Sequence, residues 1–174
     1  MTTQWIASDP QRCTACHRCE IACAMAHHGA CRPELARIRI HCFEDPAFNV
    51  PVVCMACEDA PCIKVCPVNA RVRVINGSVV TNEDRCIGCR ACVYICPVAS
   101  PAVNPFTGQT MTCDMCADQE DGPWCVAACR TEGALWIDDG QRCSLQSTRA
   151  QADRVRSARY GASGARAHRK GRMP

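Results

Sequence analysis

Aromatic residues are scarce in this chain of 174 residues: three Phe, three Trp and two Tyr, 5% of the total. A core built mainly on large interlocking aromatic side chains is therefore excluded. No apolar run approaches the ~18 residues that would span a bilayer. The opening MTTQWIASDPQRC lacks the basic stretch, the twin arginine and the apolar segment of an export signal, so a cytoplasmic location is expected. Acidic residues are nearly missing from one region. Gln141 to Pro174 holds nine Arg/Lys against Asp153 alone, a local net of +8 in a chain whose formal net is +3. Residues 1–140 then carry 11 basic and 16 acidic side chains, a net of −5. The mildly basic total conceals an acidic body with a basic tail.

Cysteine, by contrast, is abundant. There are 19, about 11% of the chain, above the level that marks a cysteine-built scaffold. Without an export signal, this density reads as metal ligation rather than as a disulfide framework. Sixteen cysteines fall into four groups of four. Cys13, Cys16, Cys19 and Cys23 are spaced C-x2-C-x2-C-x3-C. Cys54, Cys57, Cys62 and Cys66 are C-x2-C-x4-C-x3-C-P. Cys86, Cys89, Cys92 and Cys96 are C-x2-C-x2-C-x3-C-P, and Cys113, Cys116, Cys125 and Cys129 are C-x2-C-x8-C-x3-C. Groups two and four share an expanded middle, Glu58-Asp59-Ala60-Pro61 in one and Glu120-Asp121-Gly122-Pro123-Trp124 in the other. This alternation of regular and expanded groups suggests duplication of a two-group unit. Cys31, Cys42 and Cys143 stand alone and are expected to be small buried thiols.

Secondary-structure signals between the groups are short. Arg71 to Ile75, then Asn76-Gly77, then Ser78 to Thr81 is a strong hairpin pattern. Ala134 to Ile137 followed by Asp139-Gly140 reads as a strand and turn, and 38–41 and 50–53 are weaker strand candidates. The residues after each third cysteine are expected to open a short helix, which Pro67 and Pro97 would stop. Small hairpins and short helices wrapped around metal centres, an α+β arrangement, follow from these signals. Residues 144–160 read as an exposed helix and 161–174 as a Gly/Ala/Arg-rich end.

A cubane cluster needs four thiolates at tetrahedral corners. C-x2-C-x2-C supplies three from one tight loop whose amides turn inward, and the fourth cysteine, three residues on, faces away toward a second cluster, as in two-cluster bacterial ferredoxins. Zinc sites would place C-x2-C pairs some 12–20 residues apart, often with His. Disulfides suit neither the crowded triplets nor the compartment. A radical-generating site would need C-x3-C-x2-C with one iron open, and no group continues that way. His17, His27, His28 and His41 are surplus to sixteen thiolates and read as surface or packing residues. Trp124 and Trp136 are expected to shield clusters from water.

At these residues the chain resembles the four-cluster ferredoxin-type electron-transfer subunits. These accompany molybdenum or tungsten bis-pterin oxidoreductases, formate-hydrogenlyase-type hydrogenases and carbon monoxide dehydrogenases. The resemblance covers Trp5 to about Gly140. Its most specific parts are Cys-Glu-Asp-Ala-Pro-Cys at 57–62, Cys-Ile-Gly-Cys at 86–89, and Cys-Asp-Met-Cys with Glu-Asp-Gly-Pro-x-Cys at 113–125. It implies two ferredoxin-like domains, one from 1–30 with 105–143 and one from 48–104, a connector at 31–47 and a basic extension at 144–174, with four [4Fe–4S] clusters. It also implies nested ligand sets: Cys13, Cys16, Cys19 with Cys129; Cys113, Cys116, Cys125 with Cys23; Cys54, Cys57, Cys62 with Cys96; and Cys86, Cys89, Cys92 with Cys66. The motifs alone equally allow group one with two and three with four, although the 19-residue hairpin-bearing gap between Cys66 and Cys86 favours pairing two with three. Ala24 and Arg130 stand where a proline usually follows the fourth cysteine, and no apolar helix follows the clusters as in membrane-anchored relatives.

The function this implies is conduction by a non-catalytic subunit, passing single electrons between a catalytic oxidoreductase subunit and an acceptor. A tungsten or molybdenum aldehyde oxidoreductase is the favoured partner, with hydrogenase and carbon monoxide dehydrogenase complexes as alternatives. A zinc-binding regulatory protein with a nucleic-acid-binding arm is the reading from a different class. Four clusters ligated by thiolates would add about −8 to the acidic body. The +8 tail is therefore expected to dock on another copy of the chain or a partner subunit rather than on nucleic acid.

Overall fold

Each strand of the computed structural model pairs with one partner only, so the described residues, 4–44 and 47–138, hold four two-stranded sheets. β1 (Trp5–Ser8) lies antiparallel to β8 (Leu135–Asp138), Trp5 opposite Asp138 and Ser8 opposite Leu135. β2 (Arg39–Glu44) returns as β3 (Ala47–Val52), β4 (Arg71–Arg73) as β5 (Val79–Thr81), and β6 (Ala102–Val103) pairs with β7 (Thr110–Met111). The Asn76-Gly77 turn forms as its sequence predicts. Gly77 takes a φ of 85° and donates its N–H to the Val74 carbonyl, while Asn76 Oδ1 accepts the N–H of Ser78. The weak signals at 38–41 and 50–53 belong to the longest hairpin, β2–β3, held by burial of Ile38, Val50 and Val52. β1 and the two-residue strands β6 and β7 are too short to show a period and carry no sequence signal.

Four helices each contain the third cysteine of one group: Cys19 in α1 (Arg18–His28), Cys62 in α2 (Pro61–Lys64), Cys92 in α3 (Ala91–Ile95) and Cys125 in α4 (Trp124–Ala127). They begin just before that cysteine rather than after it. α2 and α3 end ahead of Cys66-Pro67 and Cys96-Pro97, whereas α1 continues past Cys23 for eleven residues in all. Ala24 stands in the place of the proline and is completely buried, and Gly29, at a φ of 61°, closes the helix on the Met25 carbonyl. With no proline after Cys23, nothing stops α1 there. Among the described residues no helix is long and apolar enough to cross a membrane.

The core is two small nuclei on either side of β1. Ile6 joins Cys19, Cys23, Ala36, Ile38, Val53, Cys125 and Leu135. Trp5 and Ala7, facing the other way as alternation along a strand requires, join Val50, Val52, Met55 and Val98. Glu20, buried on α1, ties the helix to β2: its Oε1 accepts the Ile40 N–H at 2.8 Å and its Oε2 lies 2.6 Å from His17 Nδ1. The α+β class of short hairpins and helices holds for the described residues, and the basic extension at 144–174 lies outside them.

Candidate metal centres

The backbone of the four cysteine groups repeats as closely as their sequences do. In every group the residue before the second cysteine is left-handed: Ala15 (φ 54°), Ala56 (43°), Gly88 (67°) and Met115 (66°). Only one of these is glycine, and a left-handed residue with a side chain costs about 1–2 kcal/mol. The surrounding structure must impose the conformation at the other three. At Gly88 it could not do so cheaply, because a Cβ would sit 3.0 Å from the Gly108 carbonyl oxygen. A second left-handed residue, His17, Ala60 or Arg90, precedes the third cysteine of groups one to three by two positions, and Gly122 does so by three in group four. A third, Asn69 or Ala99, follows Cys66 or Cys96 by three.

Such turns point amides inward, and the amides reach sulfur. Met115 N–H lies 3.4 Å from Cys113 Sγ, and the matching amides of Ala15 and Ala56 serve Cys13 and Cys54. The fourth cysteines receive bonds of their own: Ala70 N–H to Cys66 Sγ at 3.2 Å and Ser100 N–H to Cys96 Sγ at 3.4 Å. Cys23 Sγ accepts the Arg37 N–H at 3.2 Å.

Two small cavities each have four cysteines in their walls. One is lined by Cys54, Cys57, Cys62 and Cys96, the other by Cys66, Cys86, Cys89 and Cys92. The remaining eight mix groups one and four. Cys23 and Cys19 both act on Cys125, Cys23 acts on Cys116, and Cys129 acts on Cys13. The two halves meet where Cys54 influences Cys113. Of the sixteen, Cys16 and Cys89 alone are exposed, one in each half.

Burial raises eight of these thiols, Cys13, Cys19, Cys23, Cys54, Cys57, Cys113, Cys116 and Cys125. It pushes Cys19 up to about 12, with Glu20 beside it adding to the effect, and Cys54 up to about 11 against the pull of the Ala56 amide and Arg71. Cys113 and Cys125 are raised as well, through burial and then neighbouring sulfurs. Cys66 is the exception. Burial would raise it, but the N–H groups of Val68, Ala70 and Arg71 together with the Arg71 charge bring it below its ordinary value. Free, buried, crowded thiols are costly to hold together as thiolates without a cation, and the chemistry of a sulfur-only donor set with inward amides fits a [4Fe–4S] centre.

Sequence reasoning left two features unseen. Of the histidines read as surface or packing residues, His27 packs: its Nε2 lies 3.8 Å from Cys116 Sγ and 3.4 Å from Asp114 Oδ1, and Arg37 pairs with the other oxygen of Asp114. Burial, followed by the Arg37 charge, lowers the His27 pKa. Cys31 and Cys42, expected to be buried, are exposed. Cys31 follows the end of α1, and Cys42 lies toward the tip of the β2–β3 hairpin, beyond Ile40, whose side chain packs on the core. Cys143 lies outside the described residues. Trp124 and Trp136 are half-buried, the first supplying its amide to Cys116 and the second packing on the Trp5 nucleus.

Comparison with known proteins points the same way. The 4Fe-4S dicluster domain matches residues 46–138, and a 4Fe-4S binding domain matches residues 10–26. The chain is 39% identical over 157 residues to the aliphatic sulfonate oxidoreductase, polyferredoxin-like subunit, of Pyrococcus furiosus, covering 88% of each chain. It is 35% identical over 155 residues to the electron transport protein HydN of Escherichia coli, covering 78% of this chain and 88% of that one. A chain of the benzoyl coenzyme A reductase active-site complex BamBC superposes with a TM-score of 0.48 at 22% identity, covering 79% of this chain and 80% of that one.

Proposed function

The chain belongs to the 4Fe-4S dicluster family of ferredoxin-type electron-transfer proteins, and from that membership we propose that it carries four [4Fe–4S] clusters in a line and relays single electrons between a catalytic oxidoreductase subunit and an acceptor. The observation that carries this reading is the pair of cavities, each walled by three cysteines of one group and the fourth of another. On this reading the ligand sets are Cys54, Cys57, Cys62 with Cys96; Cys86, Cys89, Cys92 with Cys66; Cys113, Cys116, Cys125 with Cys23; and Cys13, Cys16, Cys19 with Cys129. Each cluster supplies one reversible electron at a potential within the broad range open to iron–sulfur centres.

The protein's part is to fix and tune. Left-handed loops aim amides at sulfur, burial excludes water, and the charge of Cys54, felt at Cys113, links the two halves. Exposed Cys16 and Cys89 belong to the outermost sets, where electrons enter and leave. The two units are 1–30 with 105–143 and 48–104, joined by 31–47, with Gln109, Thr110 and Thr112 at the contact between them. Anaerobic purification should give a brown protein with broad absorption at about 400 nm and about sixteen iron atoms per chain. A colourless zinc-loaded chain would sink the proposal.

The partner is a tungsten or molybdenum oxidoreductase of the aldehyde oxidoreductase type. The Pyrococcus furiosus relative, named as a subunit of an aliphatic sulfonate oxidoreductase, supports an oxidoreductase partner, and the metal and aldehyde type rest on the resemblance of the cysteine motifs. The tail from 144 to 174 lies outside the described residues, and its docking role rests on charge alone. Ending the chain at Gly140 should abolish co-purification with the partner while leaving the absorption unchanged. A truncated chain that still holds its partner would exclude the docking role.

A further inference from the structure

Arg71 opens β4 and is 2% exposed, yet no carboxylate pairs with it among the described residues. A guanidinium is a permanent cation, and a buried charge is retained only where opposite charge faces it. The hydrogen bonds it makes are to neutral groups. Nη1 donates to Thr81 Oγ1 at 2.6 Å and to Thr112 Oγ1 at 3.0 Å, and Nη2 lies 3.8 Å from Cys62 Sγ. Nε is buried without any partner. The missing negative charge is thus not supplied by side chains.

Its position shows where that charge belongs. Arg71 is the one cationic residue common to the walls of both cysteine-lined cavities. On one side it reaches Cys62. On the other its backbone amide and charge act on Cys66. A hydroxyl chain extends the link: Thr81 Oγ1 is 3.4 Å from Thr110 Oγ1, which lies 3.5 Å from Cys92 Sγ and 3.9 Å from Cys86 Sγ. The cation therefore stands between two sets of four thiolates and is tied to both.

We infer that Arg71 is a counter-ion shared by the two clusters of the second and third cysteine groups, holding both at a higher potential than their thiolates alone would give. The inference rests on the ligand sets proposed above. Reduction adds one electron to a cluster that already carries a formal charge of about −2 with its four thiolates. A fixed positive charge stabilises the more negative form, so Arg71 favours reduction of both centres. The reductant is the electron donor the relay already serves, and no proton or bond change is involved.

The test is redox titration of the loaded full-length protein followed by electron paramagnetic resonance, with Cys54→Ala and Cys86→Ala variants identifying the signals of the two centres. Arg71→Met should move the reduction equilibrium of both by about tenfold toward the oxidised form, about 59 mV for a one-electron couple, and leave the other two in place. Arg71→Lys, which keeps a charge, should move both by less. A loaded Arg71→Met protein in which neither potential falls, or only one does, overturns the inference. If Arg71→Met loses iron, the lysine variant decides: full loading supports the need for charge, and an equal loss shows that only the shape of arginine matters. Iron content of the unsubstituted chain and of the two cysteine variants tests the ligand sets separately from Arg71.

Discussion

A chain lacking both Cys23 and Cys113 is expected to retain about twelve of about sixteen iron atoms, no fewer than a chain lacking either one. Two ligands of one cluster cannot be lost twice. Removing Cys23 with Cys54 should instead leave about eight, because those residues belong to different centres in the nested arrangement. Under sequential pairing the two results exchange places, so iron analysis of two double variants decides between them. The expectation follows from α1. Cys19 and Cys23 are four residues apart on a helix that runs on past both, and both sulfurs act on Cys125. Cys23 also acts on Cys116 and Cys113 and takes the Arg37 amide, so it stands among group four rather than group two.

Stripped of iron, the chain is expected to unfold as pH rises from 9 to about 12, while the loaded protein holds its shape through that interval. The thiols ordinarily titrate at 9.0, and burial raises Cys19 to about 12 and Cys54 to about 11. A folded-state pKa above the unfolded one means that the unfolded chain gives up its proton first. The contribution to stability is therefore whole below pH 9 and is lost as pH climbs through the folded values. For Cys19 alone the loss is on the order of 4 kcal/mol, comparable with the entire stability of a small domain. Iron removes the dependence because its ligands are thiolates already. Far-ultraviolet circular dichroism of chelated and loaded protein, kept anaerobic, measures it. A chelated chain with the same spectrum at pH 7 and pH 11 contradicts the expectation.

The cysteine spacing made the metal chemistry legible before any fold was known, because each group encodes its own loop. The Asn76-Gly77 hairpin was equally plain, since its turn chemistry is local. Arg71 shows where legibility ends. Arg71-Val72-Arg73 reads as an alternating strand with its valine inward, yet the structure buries Arg71 and leaves Val72 38% exposed. The ordinary rule that apolar residues face inward assumes an apolar interior, and next to sites for anionic clusters that assumption reverses. The partners of His27 were missed for a related reason. It meets Cys116 and Asp114 only through packing between residues 87 or more positions apart, which no local pattern records. The extension of α1 was foreshadowed by Ala24, whose importance lay in the proline it replaced.

The pairing of β1 with β8 sets a timetable. Trp5 to Ser8 is made first, and its partner, Leu135 to Asp138, emerges some 130 residues later. At about 5–20 residues per second, that is a wait of roughly 6–26 s on the ribosome. On the ligand sets proposed above, groups two and three complete each other's sites, so both can be filled before group four has been made. Trp5, a member of the nucleus with Val50, Val52, Met55 and Val98, is made before them, but the strand that carries it is sealed last. The proposed nesting of the ligand sets thus carries an order of maturation, from the middle of the chain outward.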